Sequence, residues 1–160
     1  MRYILALGCQ EFHTGNNFGY GVFSVFGGLW TCFGLIVLSE HMGWYHPVKE
    51  DMGWVMVVFS VYTGIWIFPT LYMDAALFAM FTVLFIAFIF TDIGHFFEPV
   101  SRYFEFTAAT LFMIGGFIAW YIMAHFIYLD IFKSDLVPLG RAPILFFRQR
   151  QYAKAEQSVP

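Results

Sequence analysis

Four long apolar segments, separated by short polar connections, restrict what this chain can fold into. They span about residues 18–38, 52–71, 75–93 and 104–132, and each is long enough to cross a bilayer as a helix. Hydrophobic residues make up 60% of the chain, charged residues only 12%, and its 22 Phe residues exceed what a soluble core of this size can bury. The sequence therefore predicts an all-α membrane protein, a bundle of four transmembrane helices preceded by a short apolar segment at residues 1–9.

The distribution of charge predicts how the chain is organised and oriented. We expect one transmembrane helical domain over residues 1–140, followed by a basic, partly amphipathic tail over residues 141–160. Five of the eight Lys and Arg residues follow residue 132, namely Lys133, Arg141, Arg148, Arg150 and Lys154. By the positive-inside rule, the C-terminus then lies on the cytoplasmic or equivalent side of a plasma membrane or an organelle inner membrane.

The first apolar segment carries two stripes of residues at helical spacing. The small stripe consists of Gly21, Ser24, Gly28 and Thr31. The aromatic stripe consists of Phe23, Phe26, Trp30 and Phe33. Small residues let transmembrane helices approach closely, and the last segment has a small pair of its own, Gly115 and Ala119. We expect these two helices to pack through their small residues; the alternative is that the small stripe lines a solute path.

Polar residues near the first and third connections between these four segments are weak candidates for metal ligands, because imidazole and carboxylate groups bind divalent metals. They are His41, His46, Asp92, His95 and Glu98. No zinc-type motif accompanies them, so no metal site is expected. The sequence also has no nucleophile elbow, phosphate loop, haem motif or iron–sulfur spacing. We therefore expect a protein that is not an enzyme, needs no cofactor and binds no nucleic acid.

His125 is the ionisable residue deepest within the fourth apolar segment. Ionisable groups inside a membrane are candidates for a functional role, here the handling of protons or solutes. The alternative is a structural role near the inner membrane surface, since Asp130 follows within two helical turns.

Three blocks of sequence resemble the acetate uptake transporter family, the succinate–acetate permeases. The first is QEFHTGNNFGYGVFSVFGGLW over residues 10–30, which is similar to the run that enters the third helix of those proteins. The others are IGGFIAWYIMA over residues 114–124 and FKSDLVPLG over residues 132–140, which are similar to the last helix of the family and its exit. The order and spacing of the blocks also fit, and the resemblance covers about residues 3–140.

The resemblance implies a channel-like transporter of six helices for small monocarboxylates, assembled as a hexamer with a path through each protomer. A narrow apolar constriction in that family contains a Tyr and a Leu, whose positions fall here on Phe26 and Leu84. A small residue in the last helix that influences substrate size falls on Ala119. By the same resemblance, Asn17 and Trp30 are assigned to the path, and the helix start at Asn17 is expected to attract the anion.

The chain also departs from the family pattern. The first helix of the family, with its NPAPLGL motif, and most of the second have no counterpart in this sequence, and Phe26 lacks the hydroxyl of the Tyr. We therefore expect a degenerate acetate-transporter-like subunit with a structural or accessory role in a larger membrane complex. The alternative is a channel-like transporter of acetate or similar small monocarboxylates, completed by oligomerisation or by a partner chain. The expected partners are the lipid bilayer and either other membrane subunits or further copies of the chain, with acetate or another small carboxylate as a possible ligand.

Overall fold

The computed structural model describes residues 2–97 and 101–146, with side chains described from residue 6 onward. Its helices are α1 (Arg2–His13), α2 (Asn17–His41), α3 (Lys49–Thr70), α4 (Ala75–Phe96) and α5 (Ser101–Phe132). Among the described residues, the four helices α2 to α5 are each long and apolar enough to cross a membrane. The predicted class, a four-helix transmembrane bundle with a short N-terminal apolar segment, is confirmed.

The chain divides into two compact units, Met1–Val48 and Lys49–Pro160. Unit 1 contains α1 and α2, and unit 2 contains α3, α4 and α5. The predicted boundary at residue 140 stays a prediction. Most of the basic tail lies outside the described residues, including Arg148, Arg150 and Lys154.

Unit 1 is a helical hairpin held by a close approach of its two helices. A Cβ atom added to Gly8 of α1 would overlap the hydroxyl oxygen of Ser24 of α2, so only glycine fits there. Gly15 turns the chain between the helices with a φ of +77°, in the left-handed region that glycine adopts without strain. Helix α1 continues to His13, beyond the apolar segment predicted at residues 1–9. Ser24 of the small stripe therefore packs against α1.

The spans of unit 2 start or end further into the polar connections than their apolar runs indicate. Helix α3 begins at Lys49. Glu50 and Asp51 lie in its first turn, where negative side chains stabilise a helix by interacting with the positive end of its dipole. Helix α4 is capped by Asp74, which accepts a hydrogen bond from the N–H of Leu77 at 2.8 Å. It extends to Phe96, and α5 already begins at Ser101. Polar residues at the membrane surface thus belong to the helices.

The core of unit 2 is built around α4, which packs against both α3 and α5. Its buried apolar side chains are Met56 on α3, Phe81, Ala87 and Phe88 on α4, and Ala108 on α5. Phe88 meets Phe112 of α5 edge-to-face, with 5.0 Å between ring centroids, and stacks with Phe59 of α3 at 6.5 Å. The aromatic rings of three helices thereby fix the position of α4 in this unit.

Threonine hydroxyls within the spans bond to carbonyls of their own helix. The Thr63 hydroxyl donates to the Phe59 carbonyl at 2.7 Å, and Thr82 donates to Phe78 at 2.8 Å. Because lipid offers no hydrogen bonds, this local bonding lets threonine lie in a span at little cost.

Residues 133–146 fold back from the end of α5 to the α3–α4 turn, and we call them the C-terminal strap. Two backbone hydrogen bonds join this strap to that turn. The Ala76 N–H donates to the Leu139 carbonyl at 2.9 Å, and the Ile144 N–H donates to the Leu71 carbonyl at 3.1 Å. The strap therefore links the end of α3, the start of α4 and the end of α5, which are predicted to lie on the cytoplasmic side.

Any other residue in place of Gly140 in the strap should destabilise the fold. Its φ is +81°, and an added Cβ would lie 2.9 Å from the Cβ of Ala75. Gly140→Ala should lower the free energy of unfolding by about 2 kcal/mol, since left-handed backbone alone costs Ala about 1 kcal/mol and the overlap adds to it. Denaturant titration in detergent micelles measures this change.

Gly43→Ala is the matched control, because Gly43 has a φ of +70° with no atom of the described chain within 4 Å of an added Cβ. It should cost only the backbone term, about 1 kcal/mol. Equal losses from the two substitutions would contradict a tight contact between Gly140 and Ala75.

Candidate functional site

The residues assigned to a transport path lie in both units. Asn17, Phe26 and Trp30 belong to α2 of unit 1, whereas Leu84 and Ala119 belong to α4 and α5 of unit 2. Their placement in the path stays a prediction, and the surroundings of each group are described within its own unit.

In unit 1, the aromatic stripe of α2 is only partly covered. Phe26 is half-buried, whereas Trp30 is 54% exposed and contacts Phe33, with 6.4 Å between ring centroids. Phe23 is also exposed. Helix α2 thus presents large aromatic side chains that unit 1 itself does not bury.

The start of α2 is closed by side chains of the preceding turn. The Asn16 side chain accepts a hydrogen bond from the Gly19 N–H at 3.1 Å and donates to a carboxylate oxygen of Glu11 at 2.7 Å. A Cβ on Gly19 would lie 2.9 Å from the Glu11 carboxylate, so Gly19 makes room for this group. Asn17 is the exposed first residue of the helix. A negative Glu11 here counters the helix dipole, so the geometry gives no support to an anion site at Asn17.

The small stripe of α2 has more than one environment. Ser24 contacts α1 as described above. The Thr31 hydroxyl donates a hydrogen bond to the backbone carbonyl of Gly27, in its own helix, at 2.8 Å. An added Cβ on Gly28 would meet no described atom within 4 Å. Gly28 therefore offers a notch on α2 for a further helix, while packing of the stripe on Gly115 and Ala119 stays a prediction.

In unit 2, Leu84 and the small residues of α5 come together. A Cβ on Gly115 would lie 2.9 Å from Cδ2 of Leu84, so the Leu84 side chain fills the notch that Gly115 leaves. Ala119 is half-buried and follows one turn later on the same face of α5. The positions matched to the constriction Leu and to the size-determining small residue therefore share the α4–α5 interface.

His125 is held by the C-terminal strap. Its Nδ1 lies 2.6 Å from the Val137 carbonyl, which can only accept, so Nδ1 carries the proton. The same nitrogen lies 3.3 Å from a carboxylate oxygen of Asp135. One turn earlier, the Tyr121 hydroxyl donates to the Pro138 carbonyl at 2.7 Å. These bonds to the strap favour the structural alternative for His125.

The weak metal candidates do not gather into one site in the part of the chain that the structure describes. No three potential ligands come together there. Asp92 and His95 lie within α4 instead of in a loop, and His95 Nδ1 lies 2.9 Å from the Thr91 carbonyl of its own helix. His41 ends α2 and His46 follows it, while Glu98 lies outside the described residues.

Asp92 instead forms a polar pair that the sequence analysis missed. A carboxylate oxygen of Asp92 accepts a hydrogen bond of 2.5 Å from the hydroxyl of Ser60, a buried residue on α3. The signal available in the sequence was an acid near the end of the third apolar segment, but its partner lies 32 positions away. Only the antiparallel packing of α3 on α4 brings the two together.

Comparison with known proteins decides the family. The model of the GPR1/FUN34/yaaH family matches residues 3–133, from α1 to the end of α5. The chain belongs to this family. The resemblance to acetate uptake transporters is thereby confirmed, and an integral membrane protein is confirmed with it. The side of the membrane on which the C-terminus of this family member lies stays a prediction.

A solved structure shares the fold of this GPR1/FUN34/yaaH family member. It is described as the structure of the bacterial acetate channel SatP, with a TM-score of 0.79 and 24% sequence identity. The similarity covers 86% of this chain and 75% of that chain, and at this identity it shows the fold alone. None of the curated proteins compared with the chain matches it significantly. The family match favours the transporter alternative, and neither comparison supports the predicted degenerate accessory role.

Proposed function

We propose that this chain is a channel-like transporter of acetate or similar small monocarboxylates, completed by oligomerisation or by a partner chain. The family match over residues 3–133 carries this proposal, because it runs through all four spans and the helix before them. The fold likeness to a bacterial acetate channel supports it.

The α4–α5 interface supplies one wall suited to a small, partly apolar solute. Leu84 fills the Gly115 notch, and Ala119, which has a short side chain, follows one turn further along α5. A narrow apolar wall makes a solute shed water before it passes, and shedding water is most costly for large or multiply charged ions. Small monocarboxylates with a methyl group suit such a path best.

The described spans leave wide apolar surfaces for neighbours or lipid. Most residues of each span are not buried within the chain, including Trp30 on α2 and Phe117 and Trp120 on α5. Added Cβ atoms on Gly28 and Gly116 would meet no described atom within 4 Å, so both positions allow a close helix approach. These surfaces support completion of the path by further copies or a partner.

Purification in mild detergent followed by reconstitution tests the proposal. We expect a homo-oligomer, or a complex with one membrane partner, that takes up radiolabelled acetate into liposomes above the protein-free background. A chain found only as a fixed component of a large complex, with background uptake after reconstitution of that complex, would contradict the transporter proposal and restore the accessory role.

A further inference from the structure

A groove between α3 and α4 combines apolar walls with a polar end inside the membrane-spanning part of unit 2. It encloses about 500 Å³ and includes Val57, Val61, Gly64, Phe85 and Ile89 among its lining residues. Gly64 lets the Phe85 ring lie close to α3, since an added Cβ would lie 3.1 Å from that ring. Ser60 and Asp92 also line it, and they are its polar groups.

The Ser60–Asp92 pair is short of hydrogen-bond donors. Asp92 Oδ2 accepts from the Ser60 hydroxyl, but Oδ1 is buried and has no hydrogen-bond partner in the described chain. The Ser60 oxygen also lies 3.1 Å from the Met56 carbonyl. The single hydroxyl proton of Ser60 is therefore shared between two acceptors, this carbonyl and Asp92 Oδ2. An ionised carboxylate in an apolar site with one shared donor is poorly stabilised. The polar end of the groove therefore favours a ligand that brings a donor of its own.

We propose that this groove binds the undissociated form of a small monocarboxylic acid. The acid O–H donates to the Asp92 carboxylate, the acid carbonyl accepts from Ser60, and the alkyl group lies against the apolar walls. The ligand thus inserts into the present Ser60–Asp92 hydrogen bond and adds one donor to the pair. The ionised acid brings a second negative charge in place of that donor, so the site discriminates against it.

This inference rests on the proposed function for its choice of ligand, but it makes a separate claim about a binding site. The other charged or titratable groups near Asp92 are His95, one turn along α4, and Glu105 of α5, which packs against Gly94. Glu105 lies 3.8 Å from the ammonium of Lys49 on α3. A probe that does not itself ionise is therefore needed to separate ligand chemistry from titration of the protein.

Acetamide is that probe, because it keeps a donor and a carbonyl at every pH. We expect saturation-transfer NMR on the purified full chain in detergent to show acetamide bound at pH 5 and pH 7, and acetate bound only at pH 5. Asp92→Asn removes the repelling charge, so this variant should bind acetate at pH 7 as well. Equal acetate binding by the wild-type chain at both pH values would overturn the proposal, and so would an absence of acetamide binding.

Ser60→Ala gives a second, milder test that keeps the carboxylate. It removes the donor to the ligand carbonyl and should weaken acetamide binding about fivefold to tenfold, the range for one lost hydrogen bond. Thr110→Ala is the matched control, because it removes a hydroxyl that donates to a carbonyl of its own helix, α5, outside the groove. It should leave acetamide binding unchanged. If Ser60→Ala binds acetamide as the wild type does, the site is not where we place it. Binding without uptake by reconstituted protein would overturn the transporter proposal alone, and uptake without binding would overturn this site alone.

Discussion

Gly115→Leu should lower the free energy of unfolding of unit 2 by about 3 kcal/mol, the upper part of the range for overpacking a tight interface. An added Cβ would already lie 2.9 Å from Cδ2 and 3.3 Å from Cγ of Leu84, and the larger side chain needs that whole volume. Either the Leu84 side chain must turn away from Gly115 or the two helices must separate, and both changes remove packing at the α4–α5 interface. Denaturant titration in detergent micelles, followed by circular dichroism, measures the loss.

Gly116→Leu is the matched control for this substitution. Gly116 is the next residue of the same helix, is exposed, and has no described atom within 4 Å of an added Cβ. Because Leu has a higher helix propensity than Gly, this control should leave stability unchanged or raise it by less than about 1 kcal/mol. Similar losses from both substitutions would show that Leu84 and Gly115 are not in close contact.

Phe26→Ala should raise acetate flux several-fold and admit larger monocarboxylates such as butyrate. Phe26 is half-buried on α2, and its ring is the group matched to the constriction of the acetate transporters. In the proposed path, loss of the ring widens the constriction that limits both the rate and the size of the solute. Initial rates of uptake of labelled acetate and butyrate into proteoliposomes measure the effect.

Leu35→Ala is the control for Phe26→Ala, because it removes a similar apolar volume from the opposite face of α2. Leu35 is 59% exposed, so its loss should change neither the rate nor the selectivity. Unchanged flux and unchanged selectivity in Phe26→Ala would remove Phe26 from the path.

The sequence predicts the spans well because a run of about 20 apolar residues has few alternatives to a helix in lipid. It predicts their ends less well, because residues such as Lys49 and Ser101 are polar and still belong to helices. In unit 2, Lys49 donates to the Ser101 hydroxyl at 3.0 Å, so these polar ends are tied to each other. A hydropathy pattern contains no information about such a bond.

The parts of the candidate site that depend on distant contacts could not be predicted. The Ser60–Asp92 pair and the hydrogen bond of the Ala76 N–H to Leu139 each join residues more than 30 positions apart. The small-residue pattern predicts a close approach at Gly115, but it does not predict that the neighbour in unit 2 is Leu84. Small side chains predict that something fits closely, and only the fold determines what does.

Counterflow in liposomes tests the transporter claim most directly. The purified chain is reconstituted into liposomes loaded with unlabelled acetate at neutral pH, where little of the acid is undissociated and leak through lipid is small. We predict a transient accumulation of external labelled acetate that saturates with concentration and is absent from protein-free liposomes. Label entering no faster than in protein-free liposomes, from a preparation shown to be folded and oligomeric, would contradict the account.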